Sequence, residues 1–404
     1  MLKKIAISQL EVGMYVHDLD CGWMVHPFLS SSFKVANHGI IEKIVAAGIK
    51  KLVIDTAKGN DVSDAPTLAE VDRQLEQKKR DIANSGDARP EKKTDMANEL
   101  GTAKKILQDS QSVLHNILAQ ARADDIPRLD DASVLVERIA DSLARNPDAL
   151  LSISRIKQKD QYLFQHSVAS GVIMGAFARA MQLPVDTIRD LVMGGLLHDI
   201  GKTQVPLNLL QKPAKLTADE FAIVAEHVAF GRQILLELND IPKCVIDIAS
   251  HHHERWDGTG YPNSLKENQI PLEGRMAAIV DVYDALTANR PYKSAAEPAV
   301  ALKKILEWSD HHFDKQLAQQ FIRAMGIYPV ASLIQLDNGL VGVVIEQSAK
   351  LLRPWVRIFY DINKKRYVQP HAVDLSAVGT RYTDHKVIGA VTPAEYRLNP
   401  YDFL

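Results

Sequence analysis

The spacing of apolar residues changes twice along the chain and divides it into regions of different texture. Near the start, Ile5 to Leu10, Tyr15 to Leu19 and Lys51 to Asp55 are short runs that predict strands, while Ile40, Ile41, Ile44 and Val45 within Asn37 to Ala47 follow the helical repeat. Asp61 to Asn98 is dense in mixed charge, contains Arg89-Pro90 and has few large apolar side chains, the pattern of a linker or a solvated helix. From Ala103 to about Gly326 the repeat is helical throughout. Its stripes run through Leu135, Val136, Ile139 and Leu143, then Val168, Val172, Ile173 and Ala176, then Ile188, Leu191, Val192 and Gly195. The last stripe continues into His198 and Asp199, with Gly201 as the expected helix stop. Beyond Gly326, Ser332 to Leu336, the turn Asp337-Asn338-Gly339 and Leu340 to Glu346 predict a hairpin, and Trp355 to Tyr360 with Arg366 to Val373 a second pair. The expected fold is mainly α. An all-helical core over 131–330 is preceded by a small α/β domain over 1–60 and a charged linker with connecting helix over 61–130, and followed by a β-rich module over 331–404.

A length of 404 residues fits two or three domains. Lysine plus arginine number 48 against 50 aspartate plus glutamate, so no global field draws the protein to duplex nucleic acid or an anionic membrane, and a polyanionic ligand must be held by local cations. Cys21 and Cys244 are the only cysteines, in unrelated contexts, which argues against a disulfide framework or a thiolate zinc site and fits a reducing compartment. No signal-peptide pattern and no run of ~18 apolar residues is found, so the cytoplasm is the expected location and no membrane is expected as a partner.

The chemistry is concentrated in the helical middle. His198 and Asp199 prolong an inward-facing stripe, and buried ionisable groups are costly unless paired or bound to metal. Taken alone, such a pair reads as hydrogen-bonded core. Asp281 changes the weighting, because from Met276 to Ala288 the only polar side chains are Asp281, Tyr283, Asp284 and Thr287, and a carboxylate there needs a strong partner. That partner is either a metal or a neighbouring cation such as Arg275 or Arg290. On Glu220 to Leu236, Ile223, His227, Phe230 and Ile234 fall on one helical face. His251, His252 and His253 end another helical run, and since adjacent helical residues project about 100° apart, two of them can grip different metals. Imidazole and carboxylate without thiolate suit iron, manganese or a similar divalent ion, with magnesium, nickel and zinc still open.

The runs HDIGK (198–202), HHERWDGTGYP (252–262) and DVYDALTANRPYK (281–293), in this order, resemble the HD-GYP subgroup of the HD phosphohydrolase superfamily over about residues 130–330. The segment Lys159-Asp160-Gln161-Tyr162 with His166 resembles that family's opening helix. The resemblance implies an HD-type helical bundle with metal ligands at His166, His198, Asp199, His227, His252, His253 and Asp281, and leaves His251 outside the motif. Members with three metals carry a glutamate where this chain has Tyr162, so two ions are expected, bridged by Asp199. The substrate class it implies is cyclic di-GMP, cut to linear pGpG and onward to GMP.

Two cations roughly 3.5 to 4 Å apart convert a shared water to hydroxide and stabilise the charge of in-line attack, which is the expected chemistry. Lys202 would set a cation beside the reacting phosphate, and Arg290 and Lys293 would bind a guanine edge or the second phosphate. Asp284 is expected to support the site or pack its helix, and His311 to Asp314 to pack the core. In the resembling proteins the Gly260-Tyr261-Pro262 loop is often assigned to protein contacts, so it receives no catalytic role, and a homodimer is a further expectation. Two other readings stay open. One is a catalytically weak cyclic-dinucleotide sensor signalling through flanking domains; the other is a hydrolase of another cyclic dinucleotide. The N-terminal unit resembles a small domain that often precedes HD-GYP domains in bacterial proteins, which implies nothing about its function.

Overall fold

The computed structural model describes residues 1–19, 32–85, 90–154, 162–212, 214, 216–288, 295–309, 311–377, 379, 384–392, 396 and 398–403. Contacts divide the chain into two units, Met1–Asp81 with Ala214–Leu216, and the remainder.

In the first unit, β1 (Leu2–Ala6), β2 (Tyr15–Asp18), β3 (Phe33–Lys34) and β4 (Lys51–Asp55) form an antiparallel sheet in the order β1-β4-β2-β3, with α1 (His38–Ala46) between the last two strands in sequence. Ile5, Val16, Ile44, Leu52 and Ile54 make its core. Asn37 starts α1 by accepting the amide of Ile40, as its side chain is suited to do. The strand expected over Ile5 to Leu10 instead spans Leu2–Ala6, because Ile7–Gln9 turns into a 3-10 segment closed by the Gln9 side chain on the Ala6 amide.

Of the charged stretch that follows, α2 (Leu68–Asn84) and the start of α3 (Met96–Arg122) are helical, with non-helical segments at 61–67 and 90–95. The remaining helices are α4 (Asp130–Arg145), α5 (Pro147–Ile153), α6 (Tyr162–Ala180), α7 (Val185–Leu197), α8 (Leu207–Leu210), α9 (Ala218–Ala225), α10 (His227–Leu236), α11 (Lys243–His251), α12 (Leu272–Thr287), α13 (Pro298–Trp308) and α14 (Lys315–Met325). Helix α6 is the axis of this bundle. Val168, Ala169, Val172, Ile173, Met174, Phe177 and Ala178 are all buried, so apolar residues surround it and packing, not one amphipathic stripe, holds it. It crosses α7 at a glycine pair. A methyl on Gly195 would stand 2.7 Å from the Gly171 Cα, so the two backbones meet with nothing between them, and the near ends of these helices carry His166 and His198.

Two helical expectations change. The helix read as running through Asp199 ends at Leu197, and a 3-10 turn over Ile200–Gln204 follows. The helix read as continuous from Glu220 to Leu236 is broken at Glu226 into α9 and α10, which leaves Ile223 exposed while His227, Val228, Gly231 and Leu235 form the buried face. After α14 the chain forms β5 (Leu333–Leu336), β6 (Leu340–Glu346), β7 (Trp355–Asp361), β8 (Arg366–Asp374) and β9 (Val387–Ala390), an antiparallel sheet in the order β8-β7-β6-β5-β9. The hairpin read around Asp337-Asn338-Gly339 joins β5 to β6, with Leu333 opposite Val343. Among the described residues no helix is long and apolar enough to cross a membrane.

Candidate metal centre

Asp199 stands at the centre of the site, in the turn between α7 and the 3-10 segment. It is 2% exposed, and its two oxygens face different sets of nitrogens. Oδ2 is 3.5 Å from His166 Nε2, 3.3 Å from His198 Nε2 and 2.5 Å from Lys202 Nζ. Oδ1 is 3.5 Å from His227 Nε2 and 3.6 Å from His252 Nε2, and has no hydrogen-bond partner among the described residues. Asp281, from the middle of α12, spans the same division. Its Oδ1 is 3.1 Å from His166 Nε2 and its Oδ2 is 3.7 Å from His253 Nδ1. The structure thus brings together all seven residues named as ligands in the sequence, as two groups that share Asp199: His166 with His198, and His227 with His252 and His253. His251 turns away, its Nδ1 on the Asp247 carbonyl at 2.8 Å.

Outer hydrogen bonds decide which nitrogens face inward. His198 Nδ1 donates to the Gly195 carbonyl at 2.8 Å, His227 Nδ1 to that of Val224 at 2.7 Å, and His252 Nδ1 to that of Ala249 at 3.1 Å. His166 Nδ1 is 2.6 Å from Asp284 Oδ2, the supporting contact expected of that residue. With the proton on Nδ1, Nε2 presents a lone pair. His227 and His252 set these nitrogens 3.4 Å apart, and His166 and His198 set theirs 3.2 Å apart. In the His227–His252 pair two lone pairs at that separation repel, and the buried Asp199 Oδ1 beside them lacks a donor among the described residues. A shared cation satisfies both, so the residues present fit metal ions in both groups.

The electrostatics agree. Burial and the nearby Lys202 ammonium push His227 down to about 3, and burial, then His252, holds His253 well below the ordinary range, so both rings are neutral and able to ligate a cation. Burial raises the Asp199 carboxyl, but Lys202 and His198 outweigh it and hold the group well below the usual carboxylate range. Burial likewise opposes ionisation of Asp281, and His166 overcomes it. His166 is shifted the opposite way from His227 and His253. Burial lowers it, yet the hydrogen bonds to Asp281 and Asp284 raise it on balance, so a proton there occupies the place a cation would take.

Arg290 and Lys293 lie outside the described residues, as do the side chain of Tyr162 and Cys21. Two features carried no role inside the site in the sequence reading, Tyr261 being assigned there only to a loop for protein contacts. Glu254, 2% exposed, accepts the amides of Asn263 at 2.7 Å and Leu265 at 3.0 Å and so ties down the loop after the histidines. Tyr261 turns inward, its ring stacked on His253. The place of Glu254 in the sequence, between histidines and a glycine-rich turn, was the available signal, since a glutamate folded in there needs donors that only a folded-back backbone provides. His311 to Asp314 do more than pack: the His312 carbonyl takes the Trp256 amide, and Asp314 pairs with Arg275 at 2.8 Å while starting α14.

Residues 150–317 match the HD domain family, and residues 2–132 match a domain of unknown function, DUF3391. With a helical bundle presenting histidine and aspartate in this arrangement, the chain belongs to the HD-GYP group of HD-domain proteins. Over 397 residues, 98% of this chain and 93% of the relative, it is 38% identical to a Pseudomonas aeruginosa protein named cyclic di-GMP phosphodiesterase. A Thermotoga maritima protein of the same name is 34% identical over 166 residues, 41% of this chain and 45% of its own. A Xanthomonas campestris response regulator named as a cyclic di-GMP phosphodiesterase is 37% identical over 152 residues, covering 37% and 40% of the two chains.

Proposed function

We propose that this protein is a metal-dependent phosphodiesterase that hydrolyses cyclic di-GMP to linear pGpG, with GMP as a further product. The observation that carries this reading is Asp199, whose two oxygens serve two converging sets of imidazole nitrogens, in a chain similar over nearly its whole length to a protein named for that activity. His166, His198, Asp199 and Asp281 would hold one divalent ion, and Asp199, His227, His252 and His253 a second, with iron or manganese suited to the nitrogen and oxygen ligands. Bound there, such ions supply Lewis acidity toward a phosphoryl oxygen and an ionised water at neutral pH.

The chain's own groups do the rest. Asp199 and Asp281 stay ionised and His227 and His253 neutral, so the second ion loads without proton loss from those rings, while a proton at His166 must leave for the first ion to enter. Lys202, 22% exposed beside Asp199, is suited to a non-bridging phosphate oxygen. Arg290 and Lys293 we assign to a guanine edge or the second phosphate. Pro262, on the exposed side of the inward-turned Tyr261, is where a protein partner would touch the loop. We place the enzyme in the cytoplasm and expect it to act there as a homodimer.

The test is direct. Protein reconstituted with manganese or iron is expected to linearise cyclic di-GMP, followed by chromatography, while Asp199→Ala keeps its helical spectrum and loses turnover. Equal turnover in the variant would overturn the mechanism. Elemental analysis of protein purified without chelator gives the element and the stoichiometry, expected to be two per chain.

A further inference from the structure

Four of the five site histidines are turned to their task by a hydrogen bond at Nδ1, from His166 to Asp284 and from His198, His227 and His252 to backbone carbonyls. His253 is different. Its Nδ1 faces Asp281 Oδ2 at 3.7 Å, beyond hydrogen-bond reach, and among the described residues its ring makes no hydrogen bond. An imidazole without such a bond is free to rotate about its Cβ–Cγ bond unless its faces are held.

They are held by rings. Tyr261 lies over His253 with centroids 4.6 Å apart and planes inclined by 28°. The His252 ring stands 4.0 Å away at 46°, and His227 meets the edge at 5.1 Å and 82°. Of these, Tyr261 alone is no ligand itself, and it is fixed from three sides. Its amide donates to the His253 carbonyl at 3.2 Å, its ring meets Phe221 of α9 at 5.6 Å with planes at 82°, and Glu254 fastens the loop on its far side through the Asn263 and Leu265 amides. The Trp256 amide on the His312 carbonyl at 2.9 Å anchors the near side.

We infer that Tyr261 is a positioning residue for His253: its ring face sets the imidazole toward the second ion and stands in for the outer hydrogen bond that the other four histidines have. The inference rests on the two-ion reading of the site. It makes the flat face, not the hydroxyl, the working part of the side chain, and it gives the loop a task inside the site.

The experiment compares metal content and metal affinity, by elemental analysis and titration of chelator-treated protein with manganese, in wild type, Tyr261→Phe, Tyr261→Trp, Tyr261→Leu, His253→Ala and the His253→Ala/Tyr261→Leu double variant. Loss of an outer partner typically weakens metal binding about 10- to 100-fold. Tyr261→Leu is expected to weaken the second manganese about 10-fold or more with the first retained, while Tyr261→Phe and Tyr261→Trp stay within about threefold of wild type. The double variant is expected to bind as His253→Ala does, because the tyrosine acts only through that ring. A leucine variant with wild-type affinity, a phenylalanine variant as impaired as leucine, or a further loss in the double variant would each overturn the inference. If the leucine chain does not fold, the phenylalanine and tryptophan variants decide it, since loss of the second ion in either is incompatible with a face-holding role. Wild type that binds no manganese refutes the site reading itself, before Tyr261 is changed.

Discussion

Glu99 and Asp199 are both carboxylates sunk in the helical unit, 3% and 2% exposed, and the protein meets them in opposite ways. Glu99 is saturated. Its Oε1 accepts from Ser142 Oγ at 2.8 Å and Arg145 Nη2 at 2.8 Å, and its Oε2 accepts from Arg145 Nε at 2.7 Å, a forked pair with geometry that offsets the cost of burial. Asp199 has Lys202 on one oxygen, while the other faces imidazole lone pairs and has no donor among the described residues. Burial alone therefore does not mark a functional carboxylate. What separates the two is whether the surroundings complete the charge or leave it to be completed, and a small domain tolerates the second arrangement only where a ligand does so.

The comparison breaks most visibly at Asp199. Asp199→Asn is expected to lose turnover and bound metal, yet to lower the melting temperature of metal-free protein less than Glu99→Ala does; a larger drop would mean that Asp199 is structural. Chelation is next. Removing ions from wild type should lower the melting temperature by the equivalent of about 2.7 kcal/mol for each ion whose free concentration had stood at a hundred times its dissociation constant, and calorimetry with and without chelator should find no such shift in Asp199→Asn. Asp284→Asn, which weakens the acceptor for His166 Nδ1, should reduce metal affinity about 10- to 100-fold with the fold retained, as titration would show. Glu99→Ala should cost about 1–3 kcal/mol in denaturant unfolding through the unpaired Arg145, partly exposed and so partly rescued by water, with turnover within about twofold of wild type.

The smallest effect is in pH. Burial raises the Glu99 carboxyl, but Arg145 and Ser142 prevail and hold it below its ordinary value of 4.5. A carboxyl lowered on folding contributes stability that is complete above the unfolded value and is lost as pH falls through the folded one. The stability gap between wild type and Glu99→Gln should accordingly be constant above pH 4.5 and narrow below it; a gap that widens in acid would refute the pairing.

The sequence made several of the candidate ligands legible because they interrupt an apolar helical pattern where a polar group is out of place, as Asp281 does on α12, whereas His166 was reached only through the family resemblance. The sheets were legible for a similar reason, with Asp337-Asn338-Gly339 marking the hairpin between β5 and β6. Other features depend on contacts that no periodicity encodes. The repeat through Ile223, His227 and Ile234 is compatible with one straight helix, and the break at Glu226 sends the His227 ring inward by a tertiary demand. Likewise α7 stops at Leu197 so that His198 and Asp199 can leave the helix in different directions, though their stripe reads on unbroken. The inward fold of Tyr261 follows from Glu254 finding its donors in the loop, which is a statement about distance in space.

Gly201, read in the sequence as a helix stop, has another task. A methyl there would stand 2.0 Å from the His227 carbonyl oxygen and 2.3 Å from the Gly231 amide, so the segment carrying Asp199 and Lys202 rests directly on the backbone of α10. The gauge between the two halves of the centre is thus set by main chain against main chain, with no compressible side chain as a washer. Any residue larger than glycine at 201 acts as a wedge that drives His227 from Asp199, and the centre cannot absorb it by repacking.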